Sequence, residues 1–212
     1  MTYNEIRAET LRLMFADMDI DVDIEQHDDL GSRVGLSLLE NDENIGPFLK
    51  GMRSSINRAL SFIEARGVLP DERMEIELDF SGAFPCFELP LRCYHPIRVA
   101  RIDENGVCGN VAFERQGARI FISDADTGAS YALIYKPRID RILPGVCDFD
   151  EVKIPEGIAS VIPYFVKGEL FRDEEPGEAG EARNWFEQAI SEMMVRQDGE
   201  QRTVATVYGG MI

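Results

Sequence analysis

No apolar run in the 212-residue sequence approaches the roughly 18 residues of a membrane span, so no membrane partner is expected. Residues 1–16 lack the basic start and apolar block of a secretory signal, and an intracellular protein is expected. Basic residues are scarce: 22 Lys and Arg stand against 39 Asp and Glu, a formal charge of −17. Nucleic-acid binding draws much of its affinity from neutralised phosphates, so specific nucleic-acid recognition is not expected either. Histidine occurs twice, at His27 and His95. There is no HExxH pair, no GxSxG elbow, no P-loop and no GxGxxG turn. The four cysteines (Cys86, Cys93, Cys108 and Cys147) form no CxxC pair. They read as reduced and mostly buried, with neither a zinc site nor a disulfide framework. No metal and no cofactor is expected.

What is present fits a globular protein. Hydrophobic residues make up 44% and charged residues 29%, and a chain of this length buries roughly 70% of its unfolded surface. Thr2 or Asn4 can cap a first helix running to about Asp17, with Tyr3, Ile6, Leu11, Met14, Phe15 and Met18 as its apolar stripe. An acidic connector follows. A second helix starts near Pro47, carries Phe48, Leu49, Met52, Ile56, Ala59, Leu60 and Ile63 on one face, and stops at Gly67. From Met74 the apolar period changes from 3.6 to 2. Short runs near 74–78, 84–92, 97–102, 111–114, 119–122 and 131–135 are separated by turn residues, which predicts antiparallel hairpins.

Helical spacing returns with Ile158, Val161, Ile162, Phe165 and Val166, where Pro163 predicts a kink and not a break. A last helix carries Ala182, Trp185, Phe186, Ala189, Ile190, Met193 and Met194, which read as core, and ends before Asp198-Gly199. The two striped pairs each need a partner. The fold expected is α+β: a four-helix bundle of residues 1–70 and 152–197, an inserted antiparallel sheet or sandwich at 71–145, and an extended arm at 198–212.

Few residues suggest chemistry. The run Asp17, Asp19, Asp21, Asp23, Glu25, Asp28 begins like a calcium loop, but Val22 occupies the position of the required Gly, and Met18, Ile20, Val22 and Ile24 alternate with the acids. It reads as a half-buried extended segment with a solvated acidic face. His95 precedes Pro96 and reads as a turn residue. Asp124, Asp126 and Gly128 read as a hairpin turn. A carbohydrate- or other ligand-binding β module using Tyr94, His95 and Asp124 is the alternative reading. A hydrolase using His95 with Asp103 or Asp124 is a third. The tail is the best interaction candidate: Thr203, Val204, Thr206, Val207, Tyr208 and Met211 form a β-prone segment that could add a strand to a neighbour.

One resemblance bears on these choices. Ile154-Pro155, Ile162-Pro163-Tyr164-Phe165, Glu169-Leu170-Phe171 and Asp173 precede Ala182-Arg183-Asn184-Trp185-Phe186-Glu187. This resembles the closing helix pair of head–tail adaptor (connector) proteins of tailed bacteriophages and prophages. The run YALIYKP at 131–137 is similar to the last strand of their β region, and residues 3–14 and 204–208 fit the same pattern. Gly168 departs from it, standing where a small helix former is usual. The resemblance implies a non-enzymatic virion protein that assembles as a ring in the bacterial cytoplasm and ends at the head–tail junction. Its implied partners are the portal protein, tail or stopper proteins, and further copies of itself.

Overall fold

The computed structural model describes residues 1–15, 36, 40–103 and 106–208, in backbone only at 103, 106–108 and 197–208. The chain divides into two compact units, one of residues 1–68 with 139–212 and one of residues 69–138.

In the first unit, α1 (Tyr3–Met14) starts at a capping box. Thr2 Oγ1 accepts the Glu5 N–H at 3.2 Å, and Glu5 Oε2 accepts the Thr2 N–H at 2.7 Å. Ahead of α2 (Gly46–Arg66), the Asp42 carboxylate accepts the N–H groups of Ile45 and Asn44, which holds its pKa below the ordinary range. Gly67 ends α2 with φ 66°, a left-handed conformation that costs glycine nothing. Returning chain is tied to α2 by two side chains. Asn57 bonds both the N–H and the C=O of Ile142 at 2.9 Å. Glu64 accepts the Ile139 N–H at 2.7 Å and pairs with Arg141 at 2.8 Å.

Pro163 breaks the helix it was expected to kink. The segment divides into a single turn, α3 (Glu156–Ala159), and α4 (Ile162–Leu170), with Pro163 in the first turn of α4. There its missing N–H has no helical acceptor to lose, whereas in mid-helix its ring would strike the carbonyl of Ala159. The apolar face expected there is buried: Ile158, Val161, Ile162, Phe165 and Val166. The final helix, α5 (Pro176–Tyr208), runs 33 residues.

The four-helix bundle with an inserted sheet is not what the chain adopts. Helices α1, α2 and α5 each pack on α4. At 1.5 Å per residue, nine-residue α4 is about 14 Å long, while α2 and α5 are about 32 and 50 Å. So short a member cannot run alongside its neighbours as a bundle requires; it serves as a hub. The class is α+β, with two antiparallel sheets occupying the middle of the chain. Of the arm expected to be extended at 198–212, the described residues 198–208 continue α5. The backbone is helical through Tyr208, because each residue added to an existing helix gains a hydrogen bond, and Gly199 subtracts only about 1 kcal/mol.

The second unit holds seven strands: β1 (Glu72–Ile76), β2 (Cys86–Glu88), β3 (Cys93–Asp103), β4 (Gly106–Val111), β5 (Phe113–Gln116), β6 (Arg119–Ile122) and β7 (Ser130–Pro137). One sheet has the order β1-β7-β3-β4 and the other β2-β6-β5. Strand periodicity places Ile76, Val99, Tyr131, Leu133 and Tyr135 on the inner face of the first sheet, and Phe87, Ile120 and Ile122 on that of the second. These side chains form one core cluster with Cys93.

Candidate interaction surface

Among the described residues, the hub carries a dense set of side-chain interactions. Arg183 of α5 lies with its guanidinium 4.1 Å from the ring centre of Phe165 and 5.5 Å from that of Phe62. It also bonds Glu187 at 3.0 Å and Glu169 at 3.3 Å, and the second oxygen of Glu169 takes Arg58 of α2 at 2.7 Å. Phe62, Phe165 and Phe186 meet pairwise with centroids 5.0–6.2 Å apart. Phe15, Phe48 and Phe171 form a second trio of edge contacts that joins α1, α2 and the end of α4. Lys167 donates to the Leu13 carbonyl at 2.8 Å and pairs with Glu178 at 2.7 Å. Gly168 has its explanation here. A Cβ at that position would lie 3.1 Å from the Ala179 carbonyl oxygen and 3.4 Å from Arg183, so α5 approaches as closely as it does only over a glycine.

Tyr164 and Trp185 differ from the rest of the hub. Their rings stack at 4.4 Å and 22°, yet Trp185 stays more than half exposed. The spacing reading placed Trp185 in the core, but the buried members of its stripe are Ala182, Phe186 and Ile190. Trp185 sits one position off that stripe, turned by 100°.

The residues singled out for chemistry are not brought together. His95 pairs with Lys136 near the start of β3, within a strand that contains Pro96 and not in a turn; ladder irregularities on both sides accommodate the proline. Asp103 is at the far end of β3, roughly 26 Å along the strand. Asp124 precedes β7 at that far end, two residues from Asp126, which pairs with Arg101 and donates its N–H to the Tyr131 hydroxyl. The acidic run (Asp17, Asp19, Asp21, Asp23, Glu25, Asp28) and His27 lie outside the described residues. Thr203, Val204, Thr206, Val207 and Tyr208 lie in the last turns of α5, and Met211 lies outside the described residues.

Among the described residues, no three His, Cys, Asp or Glu side chains stand together as metal ligands would, and no helix is long and apolar enough to cross a membrane. Cys93 is buried, which pushes its thiol pKa up. Cys147 is exposed and Cys86 partly so, against the expectation that the cysteines are mostly buried. Burial and then the hydrogen bond to Glu72 at 2.8 Å push the Tyr135 pKa up to about 12.

Sequence reasoning missed the apolar tip between β1 and β2. Asp79 and Cys86 exchange backbone hydrogen bonds of 2.7 and 3.0 Å, closing a six-residue loop that leaves Phe80 and Phe84 exposed. The Asp79 carboxylate accepts the Ser81 N–H at 2.8 Å, and Ile122 bonds Pro85 at 2.9 Å. The run FSGAFP, two phenylalanines spaced by small turn residues with no charge, was the available signal.

Neither a protein-family model nor a curated protein sequence matches the chain.

Proposed function

We propose that the chain is a head–tail adaptor of a tailed bacteriophage or prophage, a non-enzymatic structural protein joining the portal vertex to the tail. The observation that carries this reading is the role of the residues behind the resemblance. Phe165, Glu169, Arg183 and Phe186 meet Phe62 or Arg58 of α2, Phe171 meets Phe15 at the end of α1, and Ile162 and Ala182 are buried beside them in sequence. The similarity therefore falls on the packing centre of the first unit, where a shared scaffold constrains sequence most. The partners in this reading are the portal protein, a tail or stopper protein, and neighbouring copies in a ring, with the end of α5 at 203–208 as a contact segment.

Charge supports assembly on demand. The first unit has 28 acidic and 14 basic residues, a formal −14, while the second is near balance at −3, with 11 against 8. Like charge holds free subunits apart and in solution until a partner supplies specific contacts. The test is genetic. Disrupting the reading frame in a phage or prophage that encodes it should give DNA-filled heads and free tails, seen by electron microscopy. Normal tailed, infectious particles from the disrupted phage would overturn the proposal.

A further inference from the structure

Trp185 of α5 is 53% exposed although one face of its indole lies stacked on Tyr164. Tyr164 covers that face, so the exposure belongs to the opposite face and the ring edge. Carboxylates border it. Glu181 precedes Trp185 by four residues and Glu192 follows by seven, so both share its side of α5, about 6 and 10 Å away along the axis. Both are exposed. Among the described residues Glu181 has no ion-pair partner, and Glu192 accepts only from Gln188. The cations nearby are already engaged. Lys167 is held by Glu178 and the Leu13 carbonyl, and Arg183 by Glu169 and Glu187. The next cation along this side of α5, Arg196, stands about 16 Å beyond Trp185.

The same two helices show the completed form of such a set. At Arg183 a guanidinium lies 4.1 Å from the Phe165 ring centre and bonds Glu187, one turn along α5, at 3.0 Å. At Trp185 an open ring face and a carboxylate one turn away are present, and only the cation is missing. Tryptophan is the stronger ring for a cation. Arginine suits the place better than lysine, because a planar guanidinium lies flat on an indole while its N–H fork reaches a carboxylate beside it.

We infer that the Tyr164–Trp185 stack is a docking point for an arginine side chain of a partner protein, with the guanidinium on the open indole face and Glu181 accepting its N–H groups. The formal −14 of the first unit draws a basic partner toward this point and repels an acidic one. Stacking on Tyr164 holds the indole in place before the arginine arrives, so little side-chain entropy is lost on docking. The inference goes beyond the adaptor reading and does not rest on it, because it names the chemistry a partner brings and not which partner.

The test titrates the full-length chain with a dye-labelled, capped Gly-Arg-Gly-Arg-Gly peptide, followed by anisotropy at about 0.15 M salt, where long-range attraction is screened. Trp185 is the sole tryptophan, so the one indole N–H resonance reports the docking point directly and should shift as the peptide binds. The same peptide with lysine for arginine should bind about threefold more weakly or worse, since an ammonium cannot stack flat. Trp185→Leu should weaken the arginine peptide about tenfold, as loss of an aromatic anchor does. Glu181→Gln should weaken it about threefold, the scale of an exposed ion pair. Glu43→Gln, which removes the same charge from a residue on neither α4 nor α5, should leave it unchanged. All three alter exposed side chains, and unchanged thermal unfolding would confirm that they fold. No binding at millimolar peptide, equal affinity for the lysine peptide, an unweakened Trp185→Leu variant, or equal losses in Glu181→Gln and Glu43→Gln would each overturn the inference. The last three would mark the attraction as general charge. Co-purification with a portal protein alongside any of these would leave the adaptor reading standing and this docking point refuted.

Discussion

Replacing Asp148 by Asn should be among the most damaging single changes to the helical unit, although only one oxygen becomes an amide. Arg7 on α1 is 0% exposed, and its guanidinium sits 2.9 Å from Asp148, itself 8% exposed. Glu40 lies at 3.2 Å but is 38% exposed, and the Tyr3 ring lies 4.9 Å away. Two unit charges about 4 Å apart at an effective dielectric of about 20 attract by about 4 kcal/mol. Removing one partner of a buried pair typically costs 3–5 kcal/mol, because the other charge stays buried. Glu40 compensates only in part, since water screens it. A loss of about 3 kcal/mol is therefore expected, a large share of the roughly 5–15 kcal/mol that holds a domain. Urea unfolding followed by Trp185 fluorescence measures it, with the slope against urea unchanged and the midpoint lowered. The double variant Arg7→Met/Asp148→Leu should recover part of the loss, because neither member of this pair is then left buried without the other. A cost below about 1 kcal/mol for Asp148→Asn, or a double variant no better than the single, would refute this reasoning.

Gly168→Ala should destabilise by about 1–3 kcal/mol, since the new methyl meets the α5 backbone at 3.1 Å and backbone cannot give way. Gly51→Ala should be near neutral in the same urea assay, because its contact at 2.9 Å is the end of the flexible Leu170 side chain, and the gain in helix propensity of about 1 kcal/mol offsets the crowding. The folded-state pKa of Tyr135 lies above its unfolded value near 10, so its contribution is full below pH 10 and is lost as pH rises toward about 12. A stability loss of order 2 kcal/mol across that window is expected, followed by denaturant midpoints and tyrosinate absorbance, and Tyr135→Phe should flatten it. Asn57→Ala leaves the Ile142 N–H and C=O without their side-chain partner and should cost about 1–3 kcal/mol by thermal unfolding.

Local signals were legible in the sequence where one residue type has one physical use. Thr2, one of the two candidate caps, marks the start of α1, Gly67 the end of α2, and the 2-residue period the strands of the second unit. The bundle was not legible. Stripes show that helices need partners but not which partners, and a lone proline within a stripe does not say whether it kinks one helix or starts another, as Pro163 does in α4. The start of β3 is hidden in the sequence because His95-Pro96 is a turn signature, and the ladder irregularities make the proline compatible with a strand. The tail looked extended because Thr203, Val204, Thr206 and Val207 favour strands in isolation, while an existing helix extends at little cost. Of the candidate residues, the exposure of Trp185 depended on a 100° offset from the core stripe, and that of Phe80 and Phe84 on a loop closure that no local pattern encodes.

Binding to the portal protein of the same phage genome is the most direct measure of the adaptor claim. When the two are co-expressed with a tag on the portal alone, this chain should co-purify in a stoichiometric ring complex visible by electron microscopy. It should remain bound from low to high salt if apolar contacts dominate. Failure to bind the assembled portal at any salt concentration would contradict the assignment.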